Sequence, residues 1–314
     1  VPLLASYPLV HPVARRVTTP RSPVRLSLYT LLLLIPLLGL GRAFASEARP
    51  HYPFSTRGLP HGVTEFFNHL AVGGHVLNNS NSGGYLRWRL EPHYTIFMDL
   101  ELPPFRDEDL YLSTHVFHDA DVLKRFLEHY DPSFLTVPIA MNHFPTLVAK
   151  FPDYLIVFFD DAEVLYMHRG HYPQLAARYA LTGVNPFDPP RQDTLHTDPT
   201  LVPFLKALPT LLSIAPETGV LHQIAGLLLL HNGQPDMTLE HAEAIITSYP
   251  ESPTGYLLKG RALARLRAFD QSIAALRLAV QRIPRGRAQS SVYKELGSVF
   301  LEQRRYRLAY SALK

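Results

Sequence analysis

The sequence contains no cysteine, and this absence excludes several kinds of site. Without thiols the chain has no disulfide framework, no thiolate metal ligand and no cysteine nucleophile. The absence does not settle the compartment, because an oxidising compartment permits disulfides without requiring them. Charged residues are also few, at 18% against 46% hydrophobic residues, and 314 residues are enough for about two domains. We therefore expect a globular chain.

The motifs of common catalytic sites are missing as well. There is no G-x-G-x-x-G, no P-loop Lys-Ser/Thr pair and no H-E-x-x-H. His115, His118 and Asp119 could bring two imidazoles and a carboxylate onto neighbouring helical faces. Zinc needs three or four ligands at defined distances, so surface or partly buried histidines are the plainer interpretation. No Ser-His-Asp set follows from spacing, and we predict no metal, no cofactor and no catalytic residue in this chain.

One apolar stretch predicts a membrane helix. Residues 26–40 read LSLYTLLLLIPLLGL without a charge, and 41–45 extend the run to the roughly 20 residues that span a bilayer. A cleaved signal peptide is the alternative, since Ala43-Phe44-Ala45 resembles a cleavage site. The positive-inside rule places 1–25 in the cytoplasm and the rest on the periplasmic side of a bacterial inner membrane. The rule applies because four basic residues precede the run: Arg15, Arg16, Arg21 and Arg25.

Helical and strand patterns alternate after a connector at 46–60. Val63, Phe66, Phe67 and Leu70 share one helical face. The alternation over 61–181 predicts an extracytoplasmic α/β sandwich, mostly parallel with an antiparallel edge. A Pro-rich linker at 182–203 separates it from the helices that follow. The strand candidates lie at 75–77, 94–100, 133–140, 154–159 and 164–168.

Three places in the α/β region are candidates for ligand chemistry. Asp99 lies at the carboxyl end of a strand, where open α/β sheets bind ligands, although a helix-capping or turn carboxylate is the plainer interpretation. Gly83 and Gly84 could form a phosphate-binding turn or a tight packing turn. Asp160 and Asp161 fall between two strands, and we expect an exposed hairpin tip there and not an acid–base pair.

Residues 204–314 show a helical repeat. In one repeat unit the residue types follow the order aromatic, small, large, small, large, small, proline. The residues at these positions are Tyr256, Gly260, Leu263, Ser272, Leu276, Ala279 and Pro284. A shift of 34 residues back and of 37 forward finds matching positions at Gly226, Ala242, Pro250, Tyr293, Leu296, Gly297, Phe300, Ala309 and Leu313. Over about 217–314 the chain resembles the tetratricopeptide (TPR) family. The resemblance implies an all-α superhelix with a concave groove for a partner protein.

The same region is basic. Residues 251–314 carry ten Arg and three Lys against four acidic residues, while the remainder of the chain is net negative. The plain interpretation is a solvated basic face, and the alternative is docking to an acidic partner or to anionic lipid headgroups. Nucleic acid is disfavoured because this end is expected outside the cytoplasm. The predicted groove and basic-face residues are Tyr256, Lys259, Arg261, Arg265, Tyr293, Lys294 and Arg304.

A second resemblance concerns residues 60–169. The run Gly83-Gly84-Tyr85-Leu86-x-Trp88, followed by a proline and a strand ending at Asp99, resembles bacterial polytopic membrane proteins of the C-type glycosyltransferase superfamily. Two features depart from that pattern, because Asp99-Leu100-Glu101 replaces an Asp-Gly-Arg stretch and the many-helix membrane core is absent. In the superfamily the catalytic carboxylates lie in that core, so none is assigned here.

The predicted fold class is therefore a transmembrane helix, an α/β sandwich domain and an all-α TPR superhelix. The chain opens on Val1 and stops at Lys314 within a helical pattern, so we expect part of a longer polypeptide. The first functional hypothesis is a membrane-anchored scaffold or accessory subunit that binds other subunits and lipid. The alternative is the soluble portion of a glycosyltransferase that uses a lipid-linked sugar. Because only the second hypothesis describes an enzyme, the sequence leaves open whether the protein is one.

Overall fold

The computed structural model describes residues 58–99, 106–190, 198–284 and 286–313, together with residues 34 and 195. The chain divides into two compact units, Val1–Ser55 and Thr56–Lys314. Apart from residue 34, every described residue belongs to the second unit.

The predicted membrane helix requires a correction. Residues 26–45 lie outside the described residues except for Leu34. Among the described helices, none has the length and apolar character that a bilayer crossing requires. The longest contains 16 residues, against the roughly 20 that a bilayer needs. The fold class is accordingly corrected to a mainly helical chain with a small mixed sheet, and the assignment to the inner membrane is withdrawn.

The sheet has five strands in the order β2-β1-β3-β5-β4. β1 pairs in parallel with β2 and β3, whereas β5 pairs antiparallel with both β3 and β4. A mostly parallel sheet was therefore the wrong expectation, because the β4–β5 hairpin inserts its second strand beside β3. The strands are β1 Gly74–Leu77, β2 Tyr94–Ile96, β3 Phe134–Pro138, β4 Tyr154–Phe159 and β5 Glu163–His168.

Six helices accompany the strands in the described residues. The first, α1, buries Val63, Phe66, Phe67 and Leu70 on one face, as the sequence spacing predicts. The ring of Phe66 stacks on Phe158 of β4, with 4.7 Å between centroids. The six are α1 His61–Leu70, α2 Ser80–Leu90, α3 Asp107–His115, α4 Ala120–Tyr130, α5 Phe144–Val148 and α6 Pro173–Tyr179.

The rest of the described chain is helical. A single 3₁₀ turn, Pro199–Leu201, leads into it. One apolar core runs from the sheet as far as Leu258, and a second cluster extends from Ile273 to Ala309. The helices are α7 Val202–Ile214, α8 Gly219–His231, α9 Pro235–Ser248, α10 Pro253–Arg265, α11 Phe269–Arg282, α12 Arg287–Glu302 and α13 Tyr306–Leu313.

Candidate functional site

The turns inside three successive helical hairpins share one backbone geometry. Gly233, Arg267 and Arg304 follow α8, α10 and α12, and all three are left-handed, with φ of 74°, 59° and 60°. The residue after each one donates its N–H to the carbonyl five residues earlier, at 2.9, 2.9 and 2.8 Å. This is the Schellman pattern of a helix C-terminus. The three turns occupy the same position in the predicted repeat.

A glycine allows the two helices of a hairpin to approach closely. A Cβ at Gly260 would lie 2.6 Å from Leu276 Cγ, and a Cβ at Gly297 would lie 2.6 Å from Leu313 Cγ. The two leucines hold the same register position in α11 and α13. The small residues that the sequence pattern requires are therefore the crossing points of the helices.

Buried hydroxyl groups repeat in the same register. Ser272 Oγ donates to the carbonyl of Gly260 at 2.7 Å, and Thr238 Oγ1 donates to the carbonyl of Gly226 at 3.3 Å. Both hydroxyl residues are fully buried. Turns, glycines and hydroxyl bonds thus recur in the same order, and the C-terminal helices have a TPR-like fold.

Two of the predicted groove residues, Tyr256 and Lys259, contact neighbouring helices of the array α8–α13. The guanidinium of Arg282 lies over the ring of Tyr256, 4.2 Å from its centroid. Lys259 forms an ion pair with Glu243 of α9 at 2.5 Å. These two side chains therefore help to hold neighbouring helices together.

Arg261, a third predicted groove residue, makes a two-point ion pair within the array. Its Nε lies 3.1 and 3.0 Å from the two carboxylate oxygens of Glu295, and its Nη2 lies 2.5 Å from Oε1. Each side chain is 28% exposed, and the pair links α10 to α12. The two-point geometry fixes orientation as well as distance.

The other four predicted residues remain exposed to solvent. Arg265 lies one turn beyond Arg261 on the same side of α10, and Lys294 lies on α12. Tyr293 is 40% exposed. Arg304 occupies the left-handed turn between α12 and α13, away from the helix faces. The predicted residues of α10 and α12 therefore lie on neighbouring helices, whereas Arg304 lies in a turn outside these helices.

The candidate ligand site at the strand end is occupied by internal contacts. Asp99 is 4% exposed and forms an ion pair with Arg87 of α2. A Cβ at Gly83 would overlap the carbonyl oxygen of Met98, whereas a Cβ at Gly84 would have no atom of the described residues within 4 Å apart from its chain neighbours and its own helix backbone. Gly83 is therefore a close-packing residue of α2.

The aspartate pair of the β4–β5 turn is not simply an exposed tip. Asp160 is 2% exposed because the beginning of α1 packs on it. Its carboxylate accepts N–H bonds from Val63 at 2.9 Å and from Ala162 and Glu163 at 2.8 Å. Burial raises the pKa of Asp160 to about 7, against these three donors, which lower it.

Asp161 connects the same turn to the helical array. Its Oδ2 accepts the N–H of Gly219, the first residue of α8, at 2.7 Å. A Cβ at Gly62 would lie 2.6 Å from Thr218 Oγ1, so the beginnings of α1 and α8 are in close contact. Two adjacent carboxylates thus cap two helices that are distant in sequence. The sequence analysis did not predict that these two aspartates cap two helices, because the acidic dipeptide was the only indication of it.

The histidines considered as metal ligands have other contacts. Asp119 caps α4 by accepting the N–H groups of Asp121 and Val122. His118 Nδ1 lies 3.0 Å from His143 Nε2. The described part of the chain holds no group of three or more histidine or acidic residues arranged to bind a metal ion.

The structure also joins a serine, a histidine and an aspartate that sequence spacing could not connect. Ser133 Oγ lies 2.8 Å from His171 Nδ1, and His171 Nε2 lies 3.1 Å from Asp131 Oδ1. Serine hydrolases place Nε2 toward the serine, the reverse of this arrangement. Asp131 is 73% exposed, and Ser133 precedes β3, at the opposite end from its carboxyl terminus. We assign the three residues to packing.

Comparisons with known proteins are sparse. No family model matches the chain, and no curated protein matches it. Similar solved structures include the crystal structure of MamA, at 19% identity and a TM-score of 0.33, over 39% of this chain and 70% of that chain. MamA 41-end from Desulfovibrio magneticus RS-1 has the same identity and TM-score, over 39% and 71%. The glycosyltransferase resemblance receives no support and is withdrawn, while the TPR-like assignment rests on the internal repeat geometry.

Proposed function

We propose that this chain is a protein-interaction scaffold whose array α8–α13 binds a partner protein. The observation that carries the proposal is the threefold recurrence of one hairpin geometry, with its turns at Gly233, Arg267 and Arg304. Stacked hairpins bury their apolar faces against neighbours and present an extended surface. Polar and charged side chains on that surface then select the partner.

The charge of the array indicates an acidic partner. Of the four acidic residues in 251–314, Glu295 and Asp270 pair with Arg261 and Arg305. Exposed basic residues remain in the described part of this range, and Arg265 and Lys294 are among them. An acidic protein segment complements this surface, and the chain acts as scaffold or accessory subunit of a larger assembly.

Charge reversal tests this function. We expect the wild-type chain to capture a partner in stoichiometric amount from extracts of its native host, measured by mass spectrometry. Arg265→Glu with Lys294→Glu should abolish that capture. The matched control, Lys124→Glu with Lys150→Glu, reverses two exposed lysines near the sheet and should retain it. A partner that binds both double variants equally, or no stoichiometric partner at all, would overturn the proposal.

A further inference from the structure

A cleft lies where the first helix of the sheet region meets the helical array. It encloses about 270 Å³ between the beginning of α1 and the turn that joins α7 to α8. Pockets for drug-sized ligands usually measure roughly 300–1,000 Å³, so the occupant of this cleft is a small molecule. The side chains that carry the argument are His61, Glu65, Glu217 and Thr218, and all four residues line the cleft.

The charged side chains of the cleft are acidic. The described residues that line it include two glutamates and neither lysine nor arginine. Glu65 forms an ion pair with Arg89 of α2, in which Nη2 lies 2.5 Å from Oε1. Glu217 Oε2 lies 3.2 Å from His61 Nε2, and the glutamate side chain is 65% exposed. Each contact uses one carboxylate oxygen, so the second oxygen of each glutamate can accept a hydrogen bond from a ligand.

A buried hydroxyl group stands in the wall of the cleft. Thr218 is 2% exposed, and its Oγ1 has no hydrogen-bond partner among the described residues. It precedes α8 but does not cap that helix, because Asp161 accepts the N–H of Gly219 instead. A Cβ at Gly62, which also lines the cleft, would lie 2.6 Å from this oxygen. Burial of a hydroxyl without a partner costs free energy, and a ligand that donates to it recovers that cost.

We propose that this cleft binds a small organic cation with an alkylguanidinium group. A guanidinium carries several N–H donors together with a positive charge, and these match the acceptors of Glu65, Glu217 and Thr218. The cleft joins α1 to the turn before α8, so the bound cation connects the sheet region with the helical array. The inference goes beyond the proposed scaffold function and does not depend on the surface of Arg265 and Lys294.

Calorimetric titration of the full chain with agmatine, a small alkylguanidinium compound, tests the inference. We expect saturable binding of a single agmatine per chain. Tetramethylammonium is a cation without an N–H donor, and it should bind at least about tenfold more weakly. Added salt should weaken the agmatine complex, because the cleft attracts the ligand by charge.

Charge variants locate the binding. Glu217→Gln should lower the affinity for agmatine at least about tenfold, because a neutral amide replaces a carboxylate. Glu128→Gln on α4 is the matched control, since that side chain is 63% exposed and pairs with Lys124, and it should leave the affinity unchanged. Arg265→Glu with Lys294→Glu should also leave it unchanged, which separates this test from that of the proposed function. Circular dichroism checks that each variant is folded.

Thr218→Val should have two effects of opposite sign. The substitution keeps the shape of the side chain and removes the hydroxyl that has no partner, so the free chain should unfold at a higher temperature. The same variant should bind agmatine several-fold more weakly, because the ligand loses an acceptor. A hydroxyl with a purely structural role would instead leave the affinity for agmatine unchanged.

Three results would overturn the inference. They are the lack of saturable agmatine binding, equal binding of tetramethylammonium, and binding that survives both Glu217→Gln and Thr218→Val. A short capped peptide with one arginine provides a further check. If this peptide binds more tightly than agmatine, the cleft receives a side chain of a partner protein, and a free small molecule is rejected.

Discussion

The sheet region and the helical array both bury polar groups, but the hydrogen bonds of these groups span different distances along the chain. In the sheet region Asp160 accepts the N–H of Val63, which is 97 residues away. In the array Ser272 reaches Gly260 over 12 residues, and the same bond recurs between Thr238 and Gly226. Contacts in the array are local and repeated, whereas those in the sheet region occur once. We therefore expect substitutions in the sheet region to be tolerated less well.

Replacing each of two glycines by alanine should give the largest difference in the free energy of unfolding. A Cβ at Gly83 would overlap the carbonyl of Met98 and lie 2.7 Å from Asp99 Cα, so backbone has to move. A Cβ at Gly260 would lie 2.6 and 2.7 Å from Cγ and Cδ2 of Leu276 and 3.4 Å from its backbone N, so a side chain has to move but the backbone does not. We expect Gly83→Ala to cost about 3 kcal/mol or more in urea unfolding, and Gly260→Ala about 1 kcal/mol or less, because alanine favours the helix.

Gly84 provides the control for this comparison. It lies beside Gly83 in α2, and beyond its chain neighbours and its own helix backbone the described residues place no atom within 4 Å of an added Cβ. Gly84→Ala should be neutral or stabilising, by up to about 1 kcal/mol. If Gly83→Ala is as stable as Gly84→Ala, then the close packing of α2 against the end of β2 does not limit stability.

The pH dependence of stability tests the buried carboxylate of the sheet region. Burial raises the pKa of Asp160 from 3.8 to about 7, so the folded chain keeps a proton that the unfolded chain loses in this range. Stability then falls as pH rises from 3.8 to about 7, by up to about 1.4 kcal/mol per pH unit for this group. Asp160→Asn should flatten that part of the curve, measured as the free energy of unfolding at each pH.

Two comparisons make the pH test specific. Burial also raises the pKa of Glu163 to about 7, so part of the slope should persist in Asp160→Asn. At Asp119 the backbone N–H donors lower the pKa, and its stabilisation is lost only as pH falls through that lowered value. Asp119→Asn should therefore leave the slope between 3.8 and 7 unchanged. An unchanged slope in Asp160→Asn would mean that this carboxylate is ionised when folded.

Local periodicity predicted much of the fold. β4 spans Tyr154–Phe159, the residues of the predicted strand, and α1 buries the face that its spacing predicts. The repeat was predictable for the same reason, because Gly226, Gly260 and Gly297 recur in register. Strand order was not, since the position of β5 between β3 and β4 depends on which edges meet in space.

The candidate site was less predictable than the fold. Sequence composition shows that Arg261 is basic, but only the packing of α10 beside α12 shows that Glu295 neutralises it. Tyr256 likewise has an aromatic position in the repeat, and the stacking of Arg282 on it depends on helix geometry. The burial of Asp160 depends on a helix 97 residues away, so no local pattern could reveal it.

Removing a buried hydroxyl should have a moderate and repeatable effect in the array. Ser272→Ala deletes the 2.7 Å bond to the carbonyl of Gly260 and should cost about 1 kcal/mol in urea unfolding. Thr238→Val deletes a hydroxyl whose bond to Gly226 is longer, at 3.3 Å, and which also bonds to the carbonyl of Gln234 at 3.0 Å; because the bond across the hairpin is weaker, this substitution should cost less. Ser298→Ala is the control, because that hydroxyl is exposed and bonds to the carbonyl of Lys294 in its own helix. A larger cost at Ser298 than at Ser272 would contradict the role of the hydroxyls at the helix crossings.

The smallest expected effects concern the left-handed turn residues. Arg267 adopts φ of 59° at the position that Gly233 occupies one hairpin earlier, and a side chain in this region is strained whereas glycine is not. Arg267→Gly should therefore raise stability by about 0.5 kcal/mol, and Gly233→Arg should lower it by about 1 kcal/mol, measured by calorimetry. The two substitutions should change the stability in opposite directions, because the two turns share one backbone geometry. If both substitutions destabilise, the arginine at 267 contributes a contact that outweighs the strain, and the two turns are not equivalent.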